Sequence, residues 1–409
     1  PLPSAVRWAQ PGLQTAALHA RAFHARRRMT SHFIGDHLWQ VRHFDQAWVL
    51  DRYTRGGERL SHVFQDPDQG TPKQPWISDH KGRLVMVVGD HQPIVLPQPG
   101  SPEFRDQPAP EQRCAKRPCP GLKVIALDPS GEVTMLAESA DHHPLGRAMV
   151  DGLGQIHVAA QERRTAEENT TTPTSVLLRF APDTPSPHTL MLPEPIIPRR
   201  GLPFYRYYDL HLISARTLLI HNGHRLWTLD THATRGEELR PYATWRDTPS
   251  EVLPDGAGGV ILVDHTQDHS PRLKRLSPAG RERWTQPSHL ALGPPLRLLG
   301  DVVEGVGLGL YPLDTGRPIT TETRTSQRHG FTRLKEGNGG GGFVGCGPDG
   351  LVHLSADGKP LASLPLPWSC RAVERASDGM LLVATVPPGA YGVAPPTLWD
   401  GGGAPKEKR

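Results

Sequence analysis

A short glycine-bearing turn followed by an apolar strand recurs along this chain every few tens of residues. A repeat of that kind limits the fold more than any single motif. The clearest copy runs from Ser250 to Thr285. It reads Ser-Glu-Val-Leu, the turn Pro-Asp-Gly-Ala-Gly, the strand Gly-Val-Ile-Leu-Val, a polar loop, the strand Arg-Leu-Lys-Arg-Leu, the turn Ser-Pro-Ala-Gly and Arg-Glu-Arg-Trp-Thr. Asp-Gly and Pro-Ala-Gly supply the backbone angles that tight turns need, and the β-branched run between them fits a buried pleated sheet.

Further copies follow the same plan. Asp79 to Val88 and Lys123 to Leu136 form one unit split by a Pro-rich insertion near 97–120, and Met149 to Ala159 and Ser175 to Phe180 form another, split by a polar insertion at 161–174. Leu212 to Asp230, Leu296 to Thr323, Phe331 to Leu364 and Cys370 to Trp399 complete the series. The chain carries 42 Gly and 43 Pro in 409 residues, well above the usual share, which excludes long helices. Four-stranded sheets repeated radially hide most of their edges, the arrangement of a β-propeller. The sequence predicts an all-β fold: a single propeller of about seven four-stranded blades over 33–400, counted from Trp76. A basic N-terminal arm or short helix is expected at 1–32 and a flexible basic tail at 401–409. The strand-forming segment 33–64 is expected to close the ring with the last unit.

Asn222 to Asp230 (Asn-Gly-His-Arg-Leu-Trp-Thr-Leu-Asp) and Leu310 to Arg317 (Leu-Tyr-Pro-Leu-Asp-Thr-Gly-Arg) resemble the blade signature of quinoprotein-like propellers. The Asp-Gly-x-Gly segments at Asp151 and Asp255, with a looser Asp-Gly at Asp378, resemble NHL and related propellers. The resemblance covers most of 76–400 and implies the fold. Quinone-dependent dehydrogenases of the first group carry adjacent cysteines beside the cofactor; this chain has no Cys-Cys pair, so no cofactor is expected.

The net charge of +4 resides at the ends. Residues 1–35 hold five Arg and no acid, and Lys406 to Arg409 add further positive charge, which leaves 38 basic and 41 acidic residues between 36 and 405. A weakly acidic body disfavours nucleic acid and favours protein partners. No apolar run is long enough to span a bilayer as a helix. The expected location is cytoplasmic, although the Arg-rich, acid-free stretch Ala16 to Arg28 has the composition of an organelle transit peptide. Four cysteines make no disulfide framework. Cys114 and Cys119 could close a small ring in a Pro-rich loop, and Cys346 and Cys370 read as isolated.

Two segments carry candidate binding chemistry. Arg199, Arg200, Tyr205, Arg206 and Tyr207 interleave guanidinium groups with aromatic rings, the residue types that dominate interaction hot spots; an inter-blade linker packed between sheets is the bland counterpart. Asp264, His265, Asp268 and His269 place two carboxylates and two imidazoles within six residues, a donor set suited to a divalent metal, against the alternative of a polar loop in a chain with 21 His. The nucleophile elbow, the P-loop and the dinucleotide fingerprint do not occur. The expected function is therefore a non-catalytic platform for protein interactions in a multiprotein assembly. The alternative is a metal-assisted hydrolase or lyase with its site in the central propeller channel.

Overall fold

The computed structural model describes residues 3–12, 29–44, 47–65, 76–88, 121–162, 174–182, 184, 186–193, 208–222, 225–232, 239–244, 251–265, 271–287, 296–305, 309–319, 329–334, 341–347 and 349–399. Apart from a single 3-10 turn at Pro396–Leu398, the regular structure of these residues is antiparallel strand. The strands form successive sheets, numbered here in chain order. Sheet 1 spans 29–65, sheet 2 76–139, sheet 3 142–191, sheet 4 209–244, sheet 5 251–287, sheet 6 297–312 and sheet 7 329–365. Sheet 8 combines 369–393 with the strand Val6–Pro11. Seven sheets have four strands and sheet 6 has three among the described residues. The fold is the all-β blade repeat of a propeller, with eight blades where the sequence predicted about seven.

The chain divides into two compact units, one of residues 1–74, 268–275 and 284–409, the other of 75–267 and 276–283. Sheets 1, 6, 7 and 8 lie in the first, and sheets 2 to 4 with the first two strands of sheet 5 in the second. Within each unit the apolar core is a series of clusters shared by two consecutive sheets. In the second unit, Val124 and Leu122 of sheet 2 meet Val158 and Val176 of sheet 3, Leu177 of sheet 3 meets Leu210 and Leu218 of sheet 4, and Leu219 of sheet 4 meets Val260 and Leu262 of sheet 5. In the first, Leu310 of sheet 6 packs on Phe331 of sheet 7, Val344 of sheet 7 on Val373 and Val383 of sheet 8, and Leu382 and Ala390 of sheet 8 on Leu38 and Tyr53 of sheet 1. Strands buried on both faces explain why the sequence shows short continuous apolar runs.

One five-residue turn is reused seven times, starting at Thr54, Asp128, Asp151, Asp255, Ser277, Ser355 and Ala376. In each copy the first residue's N–H donates to the fifth residue's carbonyl at 2.8–3.1 Å. The fourth residue is always Gly, with φ between 72° and 94°, a left-handed conformation that a Cβ disfavours. At six of the seven the first side chain caps the turn: the Asp151 carboxylate accepts from the N–H of Leu153 and Gln155 at 2.9 and 3.0 Å, and Asp255 from Ala257 and Gly259 at 2.8 Å each. The Asp of the Asp-Gly-x-Gly segments is thus a turn-forming residue. Asp151 also meets the buried His157 ring at 3.1 Å. Asp151→Ala is expected to cost about 2 kcal/mol, since two turn N–H groups and a buried imidazole lose their acceptor, while Asp151→Asn keeps the turn bonds and costs less; urea melts of the three proteins check this.

Two features differ from the sequence expectation. The strand completing the last sheet is Val6–Pro11, paired with Gly389–Val393, whereas 29–65 form a sheet of their own rather than supplying the closing strand. Cys346 and Cys370 are not isolated but joined by a disulfide across 24 residues, linking sheets 7 and 8. Periodicity could not reveal it, because proximity of the two residues arises only when consecutive sheets stack. A loop of that length predicts about 3 kcal/mol of stabilisation; a lower urea midpoint for Cys346→Ser with Cys370→Ser is the corresponding measurement.

Candidate functional site

The segments singled out by sequence lie mostly outside the described residues. Arg199, Arg200, Tyr205, Arg206 and Tyr207 fall between the strands His188–Met191 and Asp209–Ser214, outside the described residues. Asp264 and His265 end the strand Val260–His265; their side chains, like Asp268 and His269, are outside the described set, as are Cys114 and Cys119. The flanking strands still define where these segments attach. The turns join first to second or third to fourth strands, so they occupy the same strand end in sheets 1, 2, 3, 5, 7 and 8. The connections 89–121, 163–174 and 192–208, and the short 266–270, start from the opposite strand ends.

The densest charged constellation of the first unit sits on the first two strands of sheet 6, Arg297–Leu299 and Val302–Gly305, and on His329–Arg333 of sheet 7 and Ser369–Arg375 of sheet 8. Arg297, in the strand Arg297–Leu299, donates to Glu374 Oε2 at 2.7 Å and to the Phe331 carbonyl at 2.9 Å, and lies 3.6 Å from Glu304 Oε2. Thr332 Oγ1 donates to the other Glu374 oxygen at 2.7 Å. The Glu304 carboxylate is 1% exposed and accepts from the N–H of Gly330 at 2.6 Å and of Phe331 at 3.2 Å. The Phe33 ring of sheet 1 lies 5.8 Å from the Arg297 guanidinium carbon, within cation–π range. Burial pushes the Glu304 carboxyl above its usual range, opposed by Arg297 and the two N–H groups.

Two local irregularities bring these strands together. The register of sheet 7 jumps between His329 and Thr332, and that of sheet 8 between Cys370 and Ala372. Both are bulges, which bend a strand and redirect its side chains. Gly330, at φ 64°, fits because a Cβ there would stand 2.6 Å from the Ala372 Cα and 2.7 Å from the Arg371 carbonyl. The sequence signal that could have found this site is a lone carboxylate inside the apolar run Val302-Val303-Glu304-Gly305.

The second unit holds a related grip. Arg147, at a register break in the first strand of sheet 3, contacts both oxygens of Asp209 at 2.6 and 3.1 Å, and His211 reaches Asp209 Oδ2 at 3.1 Å. Burial opposes the Asp209 carboxylate, but the His211 hydrogen bond and the charges of His211 and Arg147 outweigh it and hold the group below its usual range. In both units a guanidinium occupies the carboxylate oxygens, so the acids serve as ion-pair partners and not as a preformed metal cage. Among the described residues no group of three or more His, Cys, Asp or Glu is arranged to hold a metal ion, and no helix is long and apolar enough to cross a membrane.

No protein-family model matches the chain, and no curated protein does. Solved structures resemble it at low identity. A streptogramin B lyase aligns with 12% identity over 89% of this chain and 91% of its own, with a TM-score of 0.41. The β-propeller domain of the Trilobed protease from Pyrococcus furiosus aligns with 7% identity over 94% of each chain, also at 0.41. A gluconolactonase from Xanthomonas campestris aligns with 13% identity over 96% of this chain and 97% of its own, at 0.34. Propellers of unlike function appear side by side in this group, so the likeness carries no activity over to this chain.

Proposed function

We propose that the chain is a non-catalytic interaction platform within a multiprotein assembly. The observation that carries this reading is the asymmetry of the sheets. One strand end bears the same short turn in six of the eight sheets, with longer connections starting there at 231–239, 313–328 and 334–342, while the other gives rise to connections of very unequal length, the longest between Val88 and Leu122. Recognition residues concentrate on such loops when a rigid scaffold presents them. Arg199, Arg200, Tyr205, Arg206 and Tyr207 belong to one of these connections and are the proposed contact residues for a protein partner.

The test is affinity purification of the full chain from its native source, compared with a variant whose segment 89–120 is replaced by a short Gly-Ser linker and with one carrying Arg199→Ala and Arg200→Ala. A stoichiometric partner that is lost in a variant supports the platform. A clean monomer, or a partner retained by both variants, overturns it. Salt-sensitive binding of single-stranded nucleic acid abolished by the Arg substitutions would reassign the segment. The second reading, metal-assisted hydrolysis or lysis, keeps Asp264, His265, Asp268 and His269 as proposed ligands; a melting-temperature rise with excess zinc, lost on His265→Ala, would favour it. On location, the cytoplasmic expectation meets the Cys346–Cys370 bond, and such bonds persist in oxidising compartments.

A further inference from the structure

We propose that Arg371, on the first strand of sheet 8, anchors a binding site for a small oxyanion, a carboxylate or a phosphate. The inference is independent of the platform reading. Arg371 is the extra residue of the bulge between Cys370 and Ala372, a position at which the strand turns a side chain out of the ladder. Its backbone is held from both sides: Cys370 is tied to Cys346, and Gly330 of sheet 7 abuts the Arg371 carbonyl so closely that no side chain fits there.

The guanidinium itself has no ion pair or hydrogen bond among the described residues, although it is half-buried. The arginines on the first strands of sheets 3, 6 and 7 are committed, Arg147 to Asp209, Arg297 to Glu374 and Arg333 to Asp301. Glu304 and Glu374, the acids of the neighbouring cluster, are themselves taken up by Arg297, Thr332 and backbone N–H groups. Burial alone weakens the basicity of Arg371, with no neighbouring charge contributing. A pre-positioned, partly desolvated guanidinium is the group that grips a planar carboxylate or a phosphate through two parallel hydrogen bonds.

Inorganic phosphate and succinate, titrated separately into the full-length protein at constant ionic strength and followed by calorimetry and melting temperature, test this. Saturable binding of at least one is expected, weakened at least tenfold in Arg371→Gln and less in Arg371→Lys, and unchanged in the surface control Arg216→Gln. Which probe binds distinguishes phosphate from carboxylate. If Arg371→Gln does not fold, protection of Arg371 in the wild-type protein from phenylglyoxal by the bound anion replaces it. Absence of saturable binding by either probe, binding undiminished in Arg371→Gln, or full phenylglyoxal reactivity at saturating anion overturns the proposal.

Discussion

Deletion of residues 1–12 is expected to destabilise the first unit by on the order of 5 kcal/mol, a large share of the stability a domain usually has. The strand Val6–Pro11 pairs with Gly389–Val393 over five register positions, and the flanking Ala394 N–H to Ala5 carbonyl and Gly12 N–H to Pro388 carbonyl bonds, each 2.9 Å, extend the ladder at both ends. The strand also reaches sheet 1. Trp8 donates its indole N–H to the Arg55 carbonyl at 2.7 Å and covers Gly57 and Gly392, where an added Cβ would come within 2.8 and 2.2 Å of its ring; Arg59 donates to the Pro11 carbonyl at 2.7 Å. Loss of the strand therefore bares the edge of sheet 8 and removes a bridge between the two sheets closest to the chain ends. Thermal and urea melts of the deletion variant check the loss, and a synthetic peptide of residues 1–12 added in trans should restore part of it. A variant that melts with the wild-type protein would show that the strand contributes nothing.

The turns were legible because their chemistry is local. Gly at the fourth position suits the left-handed backbone of the turn, and Asp, Ser or Thr at the first caps it in six of the seven copies, so Asp151, Asp255 and Ser277 announce hairpins without reference to the rest of the chain. Sheet 1 was recognisable as strand-forming, although its buried faces carry Gln40, Arg42, Asp51 and Arg52, and it was read as the closing partner of the last unit. The count came out one short because the strand that fills that place is Val6–Pro11, which leaves 29–65 to form a sheet of their own. The closing strand escaped for a different reason, since Val6–Pro11 is stabilised by partners nearly four hundred residues away and sits beside an Arg-rich stretch that suggests an arm. Cys346 and Cys370, and the convergence of Arg297, Glu304, Thr332 and Glu374, are likewise products of sheet stacking and leave no periodic trace. Only the lone acid in Val302-Val303-Glu304-Gly305 leaves a mark in the sequence, and it was not singled out there.

That acid should be the most sensitive single position in the inner cluster. Glu304→Ala is expected to cost about 3 kcal/mol or more, because it leaves the Gly330 and Phe331 N–H groups without their acceptor and removes one counter-charge of Arg297 inside the protein. Glu304→Gln, which keeps one carbonyl acceptor but turns an NH2 toward the other donor, should fall between. The pH dependence separates the role of charge from that of packing. Burial raises the folded-state pKa of Glu304 above its ordinary value, so in the window between the two the folded protein retains a proton that the unfolded chain has released. Its contribution is then fully present below the ordinary carboxylate value and is lost as pH rises through the raised one. Urea melts of wild type, Glu304→Gln and Glu304→Ala across about pH 4 to 8 should show that decline in the wild type and a flatter profile in both variants. A wild-type profile no steeper than theirs would mean that Arg297 and the two backbone donors compensate the buried charge completely, and a wild-type midpoint for Glu304→Ala would remove Glu304 from any part in holding sheets 6 and 7 together.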